Sequence, residues 1–99
     1  MHGKFLSMTG ICRKAGLLQA GHDAVKDSVR NGKAGLVFFA ADASERLQKE
    51  ITNLNNGITV LKTDITAEQF GLSAGKKAAV FSVTDKKFAQ VLLAKYEEE

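Results

Sequence analysis

The sequence predicts a three-layer α/β/α sandwich. Residues 36–41 are a continuous apolar run of strand length, the pattern of a strand covered on both faces, and residues 78–83, apolar but for Ser82, read as a further buried strand. Around them lie segments whose apolar residues recur at helical spacing. Strands alternating with helices belong to a sheet with helices on both sides. With no proline, low-complexity run or internal repeat to mark a boundary, residues 1–99 are expected to form one domain.

The first helix is expected over residues 4–15, where Phe5, Met8, Cys12 and Ala15 form an apolar stripe with Ile11 beside them. Arg13 and Lys14 suit its negative pole, and Gly16 stops it. Residues 17–20 form a short extended piece ending in a turn at Gly21. A second helix follows from about His22 to Asn31, with Ala24, Val25, Ser28 and Val29 inward and Gly32 as its stop. After the strand at 36–41, Asp42 and Glu45 stand three apart before Leu47, like a capping box for a third helix. Leu47, Ile51 and Leu54 form the stripe of that helix, which Asn55, Asn56 and Gly57 end. Residues 58–61 are the next strand. Thr66 and Gln69 make a further capping box, opening a short helix that ends near Gly71. After the strand at 78–83, the last helix starts at Thr84 and Asp85 and buries Phe88, Val91 and Leu92. Glu97, Glu98 and Glu99 put anions at its negative pole, so its end is expected to fray.

Ninety-nine residues can bury one modest core, and 44% hydrophobic with 25% charged content argues against disorder. A net charge of +3 leans mildly toward polyanionic partners. The single cysteine, Cys12, excludes an internal disulfide and suits a reducing compartment. The N-terminal residues do not read as a signal peptide, and the run at 36–41 is too short to cross a bilayer. A cytoplasmic protein with no membrane partner is the expectation.

The chemistry-bearing residues do not assemble a catalytic set. His2 and His22 have no cysteine or carboxylate at a metal-ligand spacing, and both Cys-x-x-Cys and His-Glu-x-x-His are absent. Gly71, Gly75, Lys76 and Lys77 match neither a phosphate loop nor a dinucleotide fingerprint. Cys12 reads as a packed, inert thiol, the alternative being a nucleophile. Asp23 and Asp27, one helical turn apart, are either a carboxylate pair or solvated residues at a helix start. No enzyme, metal, cofactor or small-molecule substrate is expected.

Arg13, Lys14, Lys26, Arg30 and Lys33 all precede the first long strand, opposed there only by Asp23 and Asp27. Lys76 and Lys77 form a second cluster in a turn after Gly75. If the end of the first helix, the start of the second and that turn lie together, a basic rim surrounds the Gly21 turn; otherwise these are solvated surface charges. An uncapped helix N-terminus at such a turn presents unpaired N–H groups and partial positive charge. Phe5, Phe38, Phe39, Phe70, Phe81 and Phe88 all fall on core stripes or strands, so no stacking platform for single strands is available. Structured RNA, read by shape and a few edges, fits better.

In order and spacing the residues resemble a known family. The landmarks are Arg13-Lys14-Ala15-Gly16, Gly21, Arg30-Asn31-Gly32-Lys33-Ala34, Leu36-Val37, Asp42-Ala43-Ser44, Phe70-Gly71, Gly75-Lys76 and Val83-Thr84-Asp85 with Phe88-Ala89. They span nearly the whole chain, which resembles the short bacterial members of the large-subunit ribosomal proteins that bind RNA kink-turns, the L7Ae/L30e type. The resemblance implies a four-stranded mixed sheet, with residues 17–19 as the extra short strand. It also implies RNA held by the N-terminus of the second helix and by the loop before the last strand.

Where family members carry Gly-x-Asn-Glu-x-x-Lys, this chain has Gly21, then Asp23 at the Asn place, Ala24 at the Glu place and Asp27 at the Lys place. Lys26 comes one residue early, which turns it about 100° around the helix. Gly75-Lys76-Lys77-Ala78 resembles the second loop but lacks a bulky apolar residue. A carboxylate at Asp23 outweighs the roughly half positive charge of a helix N-terminus, so this tip should repel phosphate. It can still accept hydrogen bonds from the donor edge of guanine. The resemblance therefore implies Asp23 as a base reader beside Gly21, with Arg13, Lys14, Lys26, Lys76 and Lys77 on phosphates; alternatively Asp23 is an unpartnered helix-start carboxylate. His22 is either a solvent-exposed turn residue or a ring that stacks on a base. The implied partner is structured RNA, kink-turn-like or ribosomal, bound by a monomer. The competing reading is a protein-interaction module on the same fold that has lost the RNA motif and holds a protein partner.

Overall fold

A computed structural model describes residues 2–54 and 57–98. The elements run α1 (Gly3–Lys14), β1 (Leu18–Ala20), α2 (His22–Arg30), β2 (Leu36–Phe39), α3 (Glu45–Asn53), β3 (Thr59–Lys62), α4 (Ala67–Ala74), β4 (Val80–Val83) and α5 (Lys86–Glu98). The strands form one mixed sheet in the order β1-β4-β2-β3, with β4 antiparallel to β1 and β2, and β2 parallel to β3.

Alternation along the central strands divides the core into two layers. Leu36 and Phe38 of β2 and Phe81 and Val83 of β4 face α1, α4 and α5, meeting Phe5, Cys12, Phe70, Ala74, Ala89 and Leu92. Val37, Phe39 and Val80 face α2 and α3, meeting Val25, Val29 and Ile51. Both central strands are buried along their whole length, as continuous apolar runs require. Ser82 is the polar exception. Its hydroxyl lies 2.7 Å from that of Ser28 on α2, and Ser28 spends its own proton on Val25 O at 2.8 Å, so Ser82 is the donor in the pair. Ser28→Ala should therefore strand a buried hydroxyl and cost roughly 1–2 kcal/mol in urea unfolding, more than Ser82→Ala, which leaves Ser28 still bonded.

Several local expectations give way to tertiary ones. The third helix is capped by Ser44, whose hydroxyl accepts from Leu47 N, and not by Asp42. Asp42 instead accepts from Ala67 N at 2.9 Å and caps α4, 25 residues on. The Thr66–Gln69 capping box forms as expected, but α4 continues past Gly71 to Ala74 and stops at Gly75, which takes φ +80°. Gly71 serves packing rather than termination, since a Cβ there would lie 3.1 Å from Lys77 Cβ. The strand β3 sits one residue later than expected. On α1, Ile11 and Ala15 are exposed and Thr9 is buried, its hydroxyl donating to Phe5 O. On α5, Val91 is exposed and Ala89 takes its inward place. The helix stays regular to Glu98, with Lys95 Nζ 3.9 Å from that carboxylate; Glu99, like Asn55 and Asn56 in the expected stop of α3, lies outside the described residues.

At the chain ends His2 stacks on Tyr96 at 4.4 Å and places Nε2 2.6 Å from Asp64 Oδ1, to which Tyr96 also donates. Burial tends to raise the Asp64 carboxyl, but the Tyr96 hydrogen bond and the nearby His2 outweigh it and hold the group below its usual range. The cluster ties the start of α1 to the end of α5. No helix among the described residues is long and apolar enough to cross a membrane.

Candidate nucleic-acid interface

The sheet end formed by Ala20 and Val80 carries the Gly21 turn. Ala20 pairs with Phe81, and Gly21 N donates to Val80 O at 2.9 Å. Gly21 then turns with φ 95° and ψ 163°, backbone angles essentially confined to glycine, and α2 begins with no side-chain cap. Its first N–H groups are thus open to a ligand. Asp23 stands at this tip with its side chain 99% exposed, and Asp27 is exposed one turn along. Of the two, Asp23 alone lies in the first turn of α2.

His22 and Lys26 face sideways, onto α3. His22 Nε2 lies 3.0 Å and Lys26 Nζ 2.9 Å from the same oxygen of Glu50. The hydrogen bond from Lys26 first, then that from His22, holds the Glu50 carboxyl below its ordinary range. A lowered carboxyl contributes stability at neutral pH that is lost as pH falls through its folded value. No pattern in the chain signals this clasp, because Glu50 reads as one more polar residue on α3. His22 is thus anchored rather than a free turn residue, and the charge of Lys26 is already engaged.

The second loop approaches the tip from the other layer. Arg13 Nε donates to Ala74 O at 3.0 Å, and its guanidinium fills the space a Cβ on Gly75 would need, approaching to 2.9 Å. Lys76 and Lys77 follow, both exposed, and the loop runs on to Val80 beside Gly21. Gly21, Asp23 and the Lys76–Lys77 loop therefore share one end of the sheet.

The expected rim is not a single ring. The last turn of α1, which carries Lys14, leads into Leu17, whose N–H donates to Cys12 O and whose carbonyl accepts from Thr84 N, just past Val83 at the end of β4. Arg13 is engaged with the end of α4, Lys26 is held in the α2–α3 clasp, and Lys14 is exposed at the end of α1. Lys76 and Lys77 combine exposure with a loop joined to the tip.

Cys12 is fully buried, and its thiol is pushed up to about 11 by burial and then by Asp85, which makes it inert at neutral pH. Among the described residues no three His, Cys, Asp or Glu side chains converge as a metal site would need.

Comparison with known proteins gives a consistent pattern. Residues 4–93 match the sequence model of the Ribosomal protein L7Ae/L30e/S12e/Gadd45 family. The chain is 31% identical over 88 residues to RNA-binding protein YlxQ of Enterococcus faecium, covering 88% of this chain and 85% of that one. It is likewise 31% identical over 93 residues to RNA-binding protein YlxQ of Bacillus subtilis (strain 168), covering 92% and 93%. Among solved structures it superposes on a Bacillus halodurans protein of unknown function with TM-score 0.87 and 28% identity, covering 96% and 98% of the two chains. It also matches the Giardia lamblia 15.5kD RNA binding protein with TM-score 0.71 over 94% and 84%, where 18% identity speaks to the fold alone.

Proposed function

The chain belongs to the ribosomal protein L7Ae/L30e/S12e/Gadd45 family, and from that premise we propose that it is an RNA-binding protein, not an enzyme, recognising structured RNA of kink-turn-like or ribosomal kind. The observation that carries this is the hydrogen bond from Gly21 N to Val80 O, which sets the uncapped start of α2 beside the loop bearing Lys76 and Lys77. Phosphates lie along the two lysines, with Arg13 bracing the loop from beneath. Asp23, exposed with His22 Nδ1 3.7 Å from its Oδ1, accepts from the donor edge of a guanine at the tip. His22 and Lys26, held by Glu50, fix the direction of α2 and contact the RNA from its flank; Lys14 meets phosphates only of an RNA that extends past the tip. The protein acts as a cytoplasmic monomer in ribosome-linked work, without cofactor or small-molecule substrate.

The test is filter binding of a kink-turn RNA and a matched straight duplex across a salt series. A preference for the bent RNA with a negative salt slope is expected. Lys76→Gln and Lys77→Gln should each flatten that slope by about one unit. Equal binding of both RNAs, or no salt slope, overturns the proposal. One observation favours the second reading, a protein-docking module: Lys26 is already neutralised by Glu50, so the α2 side of the tip presents little free cation. That reading expects a protein partner whose co-purification survives nuclease treatment.

A further inference from the structure

We propose that the end of the sheet opposite Gly21 is a second docking surface, one that takes the phosphate backbone of an RNA helix. α2 ends at Arg30 and turns through Gly32, and Gly35 N donates to Val83 O at 2.7 Å, which brings residues 30–35 to the last residue of β4. α5 begins three residues beyond Val83, and its first turn packs directly on Gly35. A Cβ there would lie 3.3 Å from both Lys86 Cα and Ala89 Cβ. This close approach brings the first turn of α5, which carries Lys86 and Lys87, to the segment that carries Arg30 and Lys33.

All four cations are exposed, and among the described residues none is within ion-pair distance of a carboxylate. The carboxylates on the same segments are Asp27, one turn before Arg30, and Asp85, whose Oδ1 is taken up by Phe88 N at 3.0 Å. Four free cations against these two leave the surface positive. Between the segments opens a cleft of about 400 Å³ whose wall includes Lys86, Gln90 and Thr59 together with Gly32, Gly35 and Gly57. The glycines let a nucleic-acid backbone approach closely and lysine, glutamine and threonine offer donors to its oxygens, while Val29, Ala34, Leu36, Ile58, Ala89 and Leu93 form the apolar rest of the lining. None of the exposed large apolar side chains, Ile11, Leu72 and Val91, lines the cleft. Four cations without a carboxylate partner on these segments suit phosphates rather than an apolar peptide.

This surface rests on the RNA-binding reading but shares no residue with the Gly21 tip. The longest dimension of the fold is 30 Å, so a single extended RNA arm is long enough to reach both ends.

The experiment is amide chemical-shift mapping of the full chain with a kink-turn RNA carrying an extended helical arm and with a short straight RNA duplex. It is paired with affinity measurements on the variant Lys33→Gln/Lys86→Gln/Lys87→Gln, all surface changes. Shifts at residues 30–35 and 86–90 are expected with either RNA, and the variant should bind the extended RNA at least tenfold more weakly, with the salt slope flatter by ~2–3 units. Shifts confined to residues 21–23 and 76–80 overturn this proposal and leave the tip intact. Shifts at the far end alone support it and sink the tip. Shifts at neither end sink both, and a variant that binds with unchanged affinity and slope overturns the second surface.

Discussion

Phe38→Ala is expected to cost the fold about 3–5 kcal/mol, the range for truncating a fully buried aromatic side chain. Phe38 is wholly buried at the middle of β2 and stacks on Phe81 at 5.0 Å, with the Phe5 ring edge-on at 5.3 Å and Phe70 tilted at 5.7 Å. Removing it loses both the transfer energy of the ring and three aromatic contacts, each worth about 0.5–1.5 kcal/mol beyond area. The cavity left behind lies between helices from three parts of the chain, so no single element can move in to fill it. Domains of this size have roughly 5–15 kcal/mol in total, so the variant should stand near the folding threshold. Its melting temperature should drop by about 15–30 °C, at roughly 4–8 °C per kcal/mol. Urea and thermal unfolding measure this directly. A loss under about 1 kcal/mol would mean that the Phe5, Phe38, Phe70 and Phe81 cluster is not the centre of this layer.

Gly21→Ala should damage stability and binding together. At φ 95° and ψ 163° a side chain is strained whatever the space, at about 1–3 kcal/mol. A Cβ at this place would meet nothing within 4 Å, so the cost is backbone strain and not collision. Relief of that strain requires the turn to rotate, which pulls the start of α2 away from the loop ending at Val80. RNA affinity should therefore fall at least tenfold under conditions where the variant is still folded. Gly3→Ala is the control, since it too meets nothing within 4 Å and carries no positive φ; it should be neutral or slightly stabilising. Equal stability of the two variants in denaturant titrations would refute the strain argument.

The legible parts of the fold are those whose signals are local. The inward direction of Phe38, Phe39 and Phe81 follows from continuous apolar runs. The Thr66–Gln69 box follows from four adjacent residues, and the stop at Gly32 from glycine after an amphipathic stretch. The edge strand β1, three residues long and only partly buried, is weak in pattern, where it reads as a short extended piece, and the family resemblance names it a strand. Asp42 misleads because an acidic residue three before a glutamate looks like a local cap, whereas its acceptor oxygen is used by a helix 25 residues away. Gly71 misleads in the same way, since a glycine needed for room beside Lys77 is indistinguishable in sequence from one that ends a helix.

The same division runs through the candidate interface. Residue order is enough to establish the succession of helices and strands, the two buried runs, the glycine at the turn and the family to which the landmarks point. It takes the folded chain to show that Glu50 engages both His22 and Lys26, that Arg13 braces the end of α4, and that the loop carrying Lys76 and Lys77 leads to Val80 beside Gly21. Helical periodicity and capping act over about four residues, and strand alternation over about two. The sheet order β1-β4-β2-β3 brings together side chains tens of residues apart, and no signal of that range fixes which cation meets which carboxylate.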